Sequence, residues 1–197
     1  MKKISTIILA TVIATLAVVF GGNQIIKVTG DAPFCGSCHE WDGFAAQAHF
    51  NDDVHGKANP KGVRATCTDC HLPHNSLIEY LAVKAKNGVA EGWTTLTKDP
   101  QKKDWLKNRE HARKKYTFDS SCLKCHEGIL SYDSKTQTAS ARMHKKYKEF
   151  LNTQNAMQCT QCHKFVGHKN LGDEIAEKQG GLAKTWDEWE KLNIKKD

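Results

Sequence analysis

Eight cysteines occur in the chain, and all eight fall into one pentapeptide written four times. The copies are Cys35-Gly-Ser-Cys38-His39, Cys67-Thr-Asp-Cys70-His71, Cys122-Leu-Lys-Cys125-His126 and Cys159-Thr-Gln-Cys162-His163. Cys-x-x-Cys-His is the attachment site of a c-type haem. Two thiols add across the two vinyl groups of one porphyrin, and the adjoining histidine offers a ring nitrogen to the iron. Paired cysteines also hold structural zinc, but zinc does not call for a histidine directly after every second cysteine. A disulfide framework fits worse still, because cysteines so close together cannot staple distant loops. The spacing therefore points to four covalently bound haem c groups. Cys35, Cys38, Cys67, Cys70, Cys122, Cys125, Cys159 and Cys162 would carry them, with His39, His71, His126 and His163 as proximal iron ligands.

A haem that only relays electrons usually takes a second axial ligand. Six of the ten histidines lie outside the motifs: His49, His55, His74, His111, His144 and His168. Three or four of these suffice as distal ligands, leaving the others as surface residues or propionate contacts. The methionines are only Met1, Met143 and Met157. Since Met/His ligation raises the potential, this composition favours bis-histidine, low-potential haems. Low potential suits exchange with menaquinol better than with ubiquinol.

The elements that must position these groups are less emphatic. At 197 residues the chain is one domain by length, or two small halves. Its apolar fraction of 39 % and mean hydropathy of −0.59 make a thin core for that size. Four haems would supply the missing apolar material, giving a mostly α fold with irregular loops wrapped around a haem stack. The formal charge is +7. A basic chain can signal nucleic-acid binding, but covalent haem attachment in bacteria takes place outside the cytoplasm, which excludes that partner. Each haem also brings two propionate carboxylates. The lysine and arginine excess then reads as propionate partners and solvated surface.

Met1-Lys2-Lys3 opens the chain, and residues 4–20 are apolar apart from Ser5, Thr6, Thr11 and Thr15. The run exceeds the apolar region of a cleaved signal peptide and lacks an Ala-x-Ala end. It reaches the length of a membrane span, and lysines retained inside would send the remainder across. Residues 1–30 therefore read as a single uncleaved N-terminal transmembrane helix, the alternative being a cleaved signal. The first cysteines of successive motifs are 32, 55 and 37 residues apart. This short-long-short rhythm suggests a haem domain over 31–170, built as two dihaem halves at about 31–75 and 115–170. Each half places histidines on both sides of its second motif, His55 and His74 in one, His144 and His168 in the other, as a duplicated unit would.

Between the halves a helix is expected from Ser76 to about Leu96. Ser76 can cap it, and Glu79 can complete a capping box. Leu77, Ile78, Leu81, Ala82, Ala85 and Val89 form an apolar stripe, which either packs on haem or lies at the membrane face. The charged stretch from Lys98 to Lys115 reads as a solvated helix broken at Pro100, and His144 to Leu151 as a short helix. The tail, 171–197, carries Trp186, Trp189 and Leu192. It is expected to pack back on the body rather than to dock a partner. No alternating run suggests a strand.

Val63-Arg-Ala-Thr-Cys-Thr-Asp-Cys-His-Leu-Pro-His74, Ala141-Arg-Met-His144, the anchor and the four motifs resemble the NapC/NirT family of membrane-bound tetrahaem quinol dehydrogenases. The resemblance runs to about His168 and is closer to the CymA/NapC branch than to the NrfH branch. It implies His55 as ligand of the fourth haem, His168 of the second and His144 of the third, so that the halves cross-ligate. An NrfH-type member takes a partner's lysine at the third haem, so His144 argues against that obligate complex. The first motif departs from relatives that read Cys-x-x-Cys-His-x-Met, because Trp41 stands at the methionine position. Water, a carboxylate or His49 could then face that iron. The resemblance also implies Lys84 and Glu91, seven apart on one helical face, as a quinol pocket beside the first haem. Both would otherwise be ordinary solvated residues.

The function expected from these readings is menaquinol oxidation at the cytoplasmic (inner) membrane, with the haem domain on the periplasmic side. Electrons would pass to a periplasmic terminal reductase or soluble cytochrome in anaerobic respiration. Two alternatives stand beside it: a relay without a quinol site, and a terminal nitrite or hydroxylamine reductase. A monomer and a homodimer both remain open.

Overall fold

The computed structural model describes residues 2–37, 43–131 and 138–179. Cys38, His39, Trp41 and the tail residues Trp186, Trp189 and Leu192 lie outside the described residues. All regular structure within them is helical, as composition and periodicity led us to expect.

Helix α1 (Lys2–Val28) is one uninterrupted run of 27 residues. At 1.5 Å per residue it is about 40 Å long, enough to cross the ~30 Å hydrocarbon layer of a bilayer. Its large apolar side chains from Ile4 through Ile25 stand exposed, uncovered by protein, and Ile26 near its end is half-buried. Two of its polar breaks are neutralised within the helix. Thr11 Oγ1 donates to the Ile7 carbonyl and Thr15 Oγ1 to the Thr11 carbonyl, each at 2.9 Å, so neither hydroxyl needs water. Past its end, the Gly30 carbonyl accepts from the Thr68 amide at 3.0 Å. A Cβ at residue 30 would stand 2.9 Å from Thr68 Oγ1. Glycine there lets the anchor abut the second motif.

The apolar core is small, as expected. It joins α2 (Phe44–Phe50), α5 (Trp105–Lys115) and α9 (Leu171–Gln179) through Phe44, Trp105, Leu106, Ile175 and Ala176. Phe44 meets Trp105 edge-on at 5.3 Å, the arrangement aromatic quadrupoles prefer. The expectation of a solvated helix over Lys98 to Lys115 is thus corrected. A short 3₁₀ turn (Pro100–Lys102) absorbs the proline, Asp104 caps α5, and its first turn is buried. Helix α2 was not anticipated, since Phe-Ala-Ala-Gln-Ala-His-Phe is too short to show a period.

Helix α4 (Leu77–Thr97) matches the expected span, and Ser76 Oγ accepts from the Glu79 amide at 3.1 Å. The capping box is not completed, because the Glu79 carboxylate accepts from Asn75 Nδ2 at 2.9 Å instead. No residue of α4 is buried, and Ile78, Val89, Trp93 and Leu96 are 81, 76, 68 and 84 % exposed. Helix α7 (Ala139–Phe150) begins five residues earlier than expected, capped by Thr138.

Candidate haem sites and the anchor junction

The second, third and fourth motifs each occupy a short helix: α3 (Cys67–His71), α6 (Asp119–Cys125) and α8 (Cys159–Cys162). Residues three apart on a helix share a face, so each turn presents two thiols on one side, as a single porphyrin requires. These turns are fixed by local polar chemistry. Thr66 and Asp69 form a reciprocal capping box on α3, and Gln158 and Gln161 one on α8.

The three turns are also tied to one another. Lys124 Nζ lies 3.0 Å from Asp69 Oδ1, and Ser121 Oγ donates to the Leu72 carbonyl at 2.6 Å, joining α6 to α3. Asp119 joins α6 to α7 and α8, accepting from the Cys159 amide at 2.8 Å and from Tyr147 Oη at 2.5 Å. Burial, with Asp119 and Cys159 beside it, pushes the Tyr147 hydroxyl far above the ordinary phenol range.

The thiols form a chain. The Cys67 thiol beside Cys35 lowers the Cys35 thiol against the opposing effect of burial, with the Lys84 charge assisting, and Cys35 raises Cys67. Cys159 beside Cys122 likewise lowers the Cys122 thiol to about 7, and Cys159 is raised. Burial raises Cys70 to about 11, and Cys122 and Cys125 add to it. Motifs one and two thus touch, as do two and three, and three and four.

Three histidine pairs face each other across similar gaps. Ring centres are 6.1 Å apart for His71 and His168, 6.1 Å for His55 and His126, and 6.0 Å for His144 and His163. With metal–nitrogen bonds of about 2.0 Å and a ring centre roughly 1.1 Å behind each nitrogen, two imidazoles on one metal lie about 6.2 Å apart. The described residues therefore fit three bis-histidine haems. Backbone carbonyls fix the Nδ1 atoms: Tyr116 for His71 at 2.8 Å, Ala45 for His168 at 2.9 Å and Ser140 for His144 at 2.9 Å. That leaves Nε2 for iron, the usual second-shell arrangement. Burial, with His71 next to it, depresses His168 to about 4, which keeps the ring neutral and able to bind metal. His55 is set by Asp52, whose Oδ1 accepts from the His55 and Val54 amides at 2.6 and 2.9 Å. Gly56 makes this turn possible, since a Cβ there would lie 1.8 Å from the His49 carbonyl.

The pairing departs from that implied by the resemblance. His168 faces the second motif as implied. His55 faces the third-motif His126 rather than the fourth, and His144 faces the fourth-motif His163 rather than the third. The chain order of distal histidines does not reveal which motif each one meets. His49 is no candidate for the first iron. Its buried ring bonds the Gly167 carbonyl through Nδ1 at 2.7 Å and the Ala65 carbonyl through Nε2 at 2.8 Å, so it works as a strut. His74 Nε2 contacts the Thr68 carbonyl at 3.2 Å, and His111 is exposed.

Lys84 lies where the anchor meets the first motif. Its Nζ donates to the Ile26 and Thr29 carbonyls, each at 3.0 Å, placing a cation at the C-terminal end of α1 where the helix dipole favours one. The Thr29 carbonyl also accepts from Cys35 Sγ at 3.6 Å. Burial lowers the Lys84 ammonium below the ordinary lysine value. The structure brings Lys84 to Cys35. Glu91, two turns further along α4, acts on Lys103 of the loop before α5. A cleft of about 340 Å³ between Asp69, Lys124 and the start of α4 is lined in part by Tyr80, whose ring centre is 5.9 Å from Lys84 Nζ.

The profile of the NapC/NirT cytochrome c family, N-terminal region, matches residues 1–173. Curated relatives include the denitrification system component NirT of Stutzerimonas stutzeri, 32 % identical over 82 % of this chain and 80 % of its own. The cytochrome c-type protein NapC of Haemophilus influenzae is 30 % identical over 84 % of this chain and 81 % of its own. The cytochrome c-type protein TorC of Escherichia coli is 29 % identical over 83 % of this chain and 40 % of its own. No solved structure matches.

Proposed function

Because the chain belongs to the NapC/NirT cytochrome c family, a family of membrane electron-transfer cytochromes with covalently bound haem c, we propose that it is a tetrahaem menaquinol dehydrogenase. It accepts electrons at the first motif, on the periplasmic side of the cytoplasmic membrane. It delivers them to a periplasmic terminal reductase or soluble cytochrome. The haems, when bound, carry the electrons one at a time; the protein supplies orientation, ligands and charge.

The observation that carries this reading is the position of Lys84 between the last carbonyls of α1 and Cys35. Quinol oxidation releases two protons with two electrons, and iron takes only the electrons. An ammonium on this junction has one N–H left after the two anchor carbonyls. That N–H can orient a quinol oxygen at the level where a lipid-soluble quinol reaches the haem domain. Glu91, about 10 Å further along the helix axis, is a second proton carrier on the way to bulk water. The uncovered apolar stripe of α4 supports the same placement, since Val89, Trp93 and Leu96 suit a helix resting in the interface. His55, His144 and His168 serve as distal ligands that close the other three haems. The Lys2-Lys3 start holds the N-terminus inside.

Purified, detergent-solubilised protein tests this reading. A menaquinol analogue should reduce it, and a quinone-site inhibitor should perturb a high-spin haem signal. A protein whose haems are all low-spin and stay oxidised in the presence of the quinol would be a relay fed by another protein.

A further inference from the structure

Helix α2 carries no haem motif and no distal ligand, yet three consecutive residues near the end of the haem domain are bonded to it. The Ala48 carbonyl accepts from the Lys169 amide at 3.0 Å. The Ala45 carbonyl lies 2.9 Å from His168 Nδ1, and His49 Nδ1 lies 2.7 Å from the Gly167 carbonyl. Gly167 is buried, and its φ of 83° is in the left-handed region that favours glycine. The distal ligand His168 is thus held through the residue on either side of it as well as at its own ring.

His49 also reaches the other side of the same haem site. Its Nε2 lies 2.8 Å from the Ala65 carbonyl. Ala65 directly precedes Thr66, the N-cap of α3, which carries Cys67, Cys70 and His71. The His49 ring centre is 5.6 Å from that of His168, and the residue is only 6 % exposed. A buried polar ring is costly unless it is bonded, so packing alone would favour an apolar side chain here.

We propose that His49 is a positioning residue of the second haem. It ties the segment that carries the distal His168 to the segment that carries the proximal His71, and so fixes the angle and the retention of His168 on the iron. The ring planes of His71 and His168 stand 51° apart. An imidazole can turn about its bond to iron, so that angle must be set by the protein around it, as outer-shell partners do for metal ligands generally. The inference rests on the haem assignment above but not on quinol oxidation.

The test uses the full-length holoprotein in detergent, with haem content checked first. His168→Ala identifies the electron paramagnetic resonance signal of the second haem; if it deletes none, the haem assignment fails and the proposal with it. His49→Gln sets an amide near the Nε2 position and gives up the Gly167 carbonyl, whereas His49→Asn sets one near Nδ1 and keeps it. His49→Gln should shift the g values of the second haem. It should also speed carbon monoxide binding to that haem in its ferrous form, a step that requires His168 to let go. The gain should be roughly five- to tenfold, the worth of one buried hydrogen bond. His49→Asn should move the same haem less, and the His55–His126 and His144–His163 haems should keep their signals in both variants. If His49→Gln does not assemble, His49→Asn decides alone, since loss of the Ala65 contact should still shift the second haem and no other. Wild-type g values and carbon monoxide kinetics at that haem would overturn the proposal. So would equal changes at all four haems, or a larger effect in His49→Asn than in His49→Gln.

Discussion

Lys84→Leu separates a lysine that handles quinol from one that merely ties two helices. The side chain spends two of its three N–H donors on the Ile26 and Thr29 carbonyls. The third is available to a quinol oxygen. A hydrogen bond from a charged donor contributes about 1.5–3 kcal/mol, and partial exposure puts Lys84 at the lower end of that range. Since ~1.4 kcal/mol is a factor of ten, kcat/KM for a menaquinol analogue should fall roughly ten- to thirtyfold. Reduction by dithionite, which needs no quinol site, should be unchanged, and all four haems should remain attached. The loss at the helix end is smaller, about 0.3–1 kcal/mol for a cation near a C-terminus, so Tm should move little. Lys84→Arg should recover part of the rate by keeping the charge. Burial also lowers the ammonium below the ordinary lysine value. The wild-type rate should accordingly lose the charged-donor contribution, and fall, at a lower pH than an unperturbed lysine allows, and that fall should be absent from Lys84→Leu. Unchanged quinol kinetics in a fully loaded Lys84→Leu protein would refute the role.

His168→Ala should convert the second-motif haem to a high-spin form, seen as a charge-transfer band in the visible spectrum; an unaltered spectrum would remove His168 as a ligand. The ring planes of His144 and His163 are 8° apart, against 66° for His55 and His126. Near-parallel imidazoles give an ordinary rhombic low-spin resonance, and strongly crossed ones give a large, highly anisotropic g value. His144→Ala should therefore delete a rhombic signal and His55→Ala a strongly anisotropic one; the reverse outcome would restore the ligand order implied by family resemblance.

The parts of the structure that were legible beforehand are those in which a single local rule decides. Helix α1 is a 27-residue helix built on the apolar run of residues 4–20, and no tertiary contact is needed to make that run helical. Ser76 marks the start of α4 because a hydroxyl there meets an amide three residues on. The motifs announce their thiols by spacing alone. What was hidden depends on contacts distant in sequence. His49 looks like any spare ligand until Gly167 and Ala65 are seen to occupy both ring nitrogens. Trp105 and Leu106 sit in a stretch dense with lysine and arginine. Their burial depends on Phe44, near the start of the expected haem domain, and on Ile175, which lies beyond its expected end in the tail. Of the three histidines nominated beforehand, His168 meets the motif that was expected, whereas His55 and His144 do not. A loop chooses its partner by the path of the chain around the haems, and composition carries no record of that path.

The thiol chain gives the repeat a physical meaning. A duplicated dihaem unit needs a contact inside each half and a weaker one between halves. Cys35 with Cys67 and Cys122 with Cys159 are the same contact made twice, first cysteine to first cysteine. The junction between halves differs in kind. Cys70, a second cysteine, approaches Cys122 and Cys125, and the contact is held by the Lys124–Asp69 pair and by Ser121 on the Leu72 carbonyl. The motif thiols thus follow one another in space in chain order, one to two to three to four. The end of that series is fixed at the membrane by a few bonds. Gly30 holds Thr68, Asp31 holds Arg64 and Cys67, and Lys84 holds the last turn of α1.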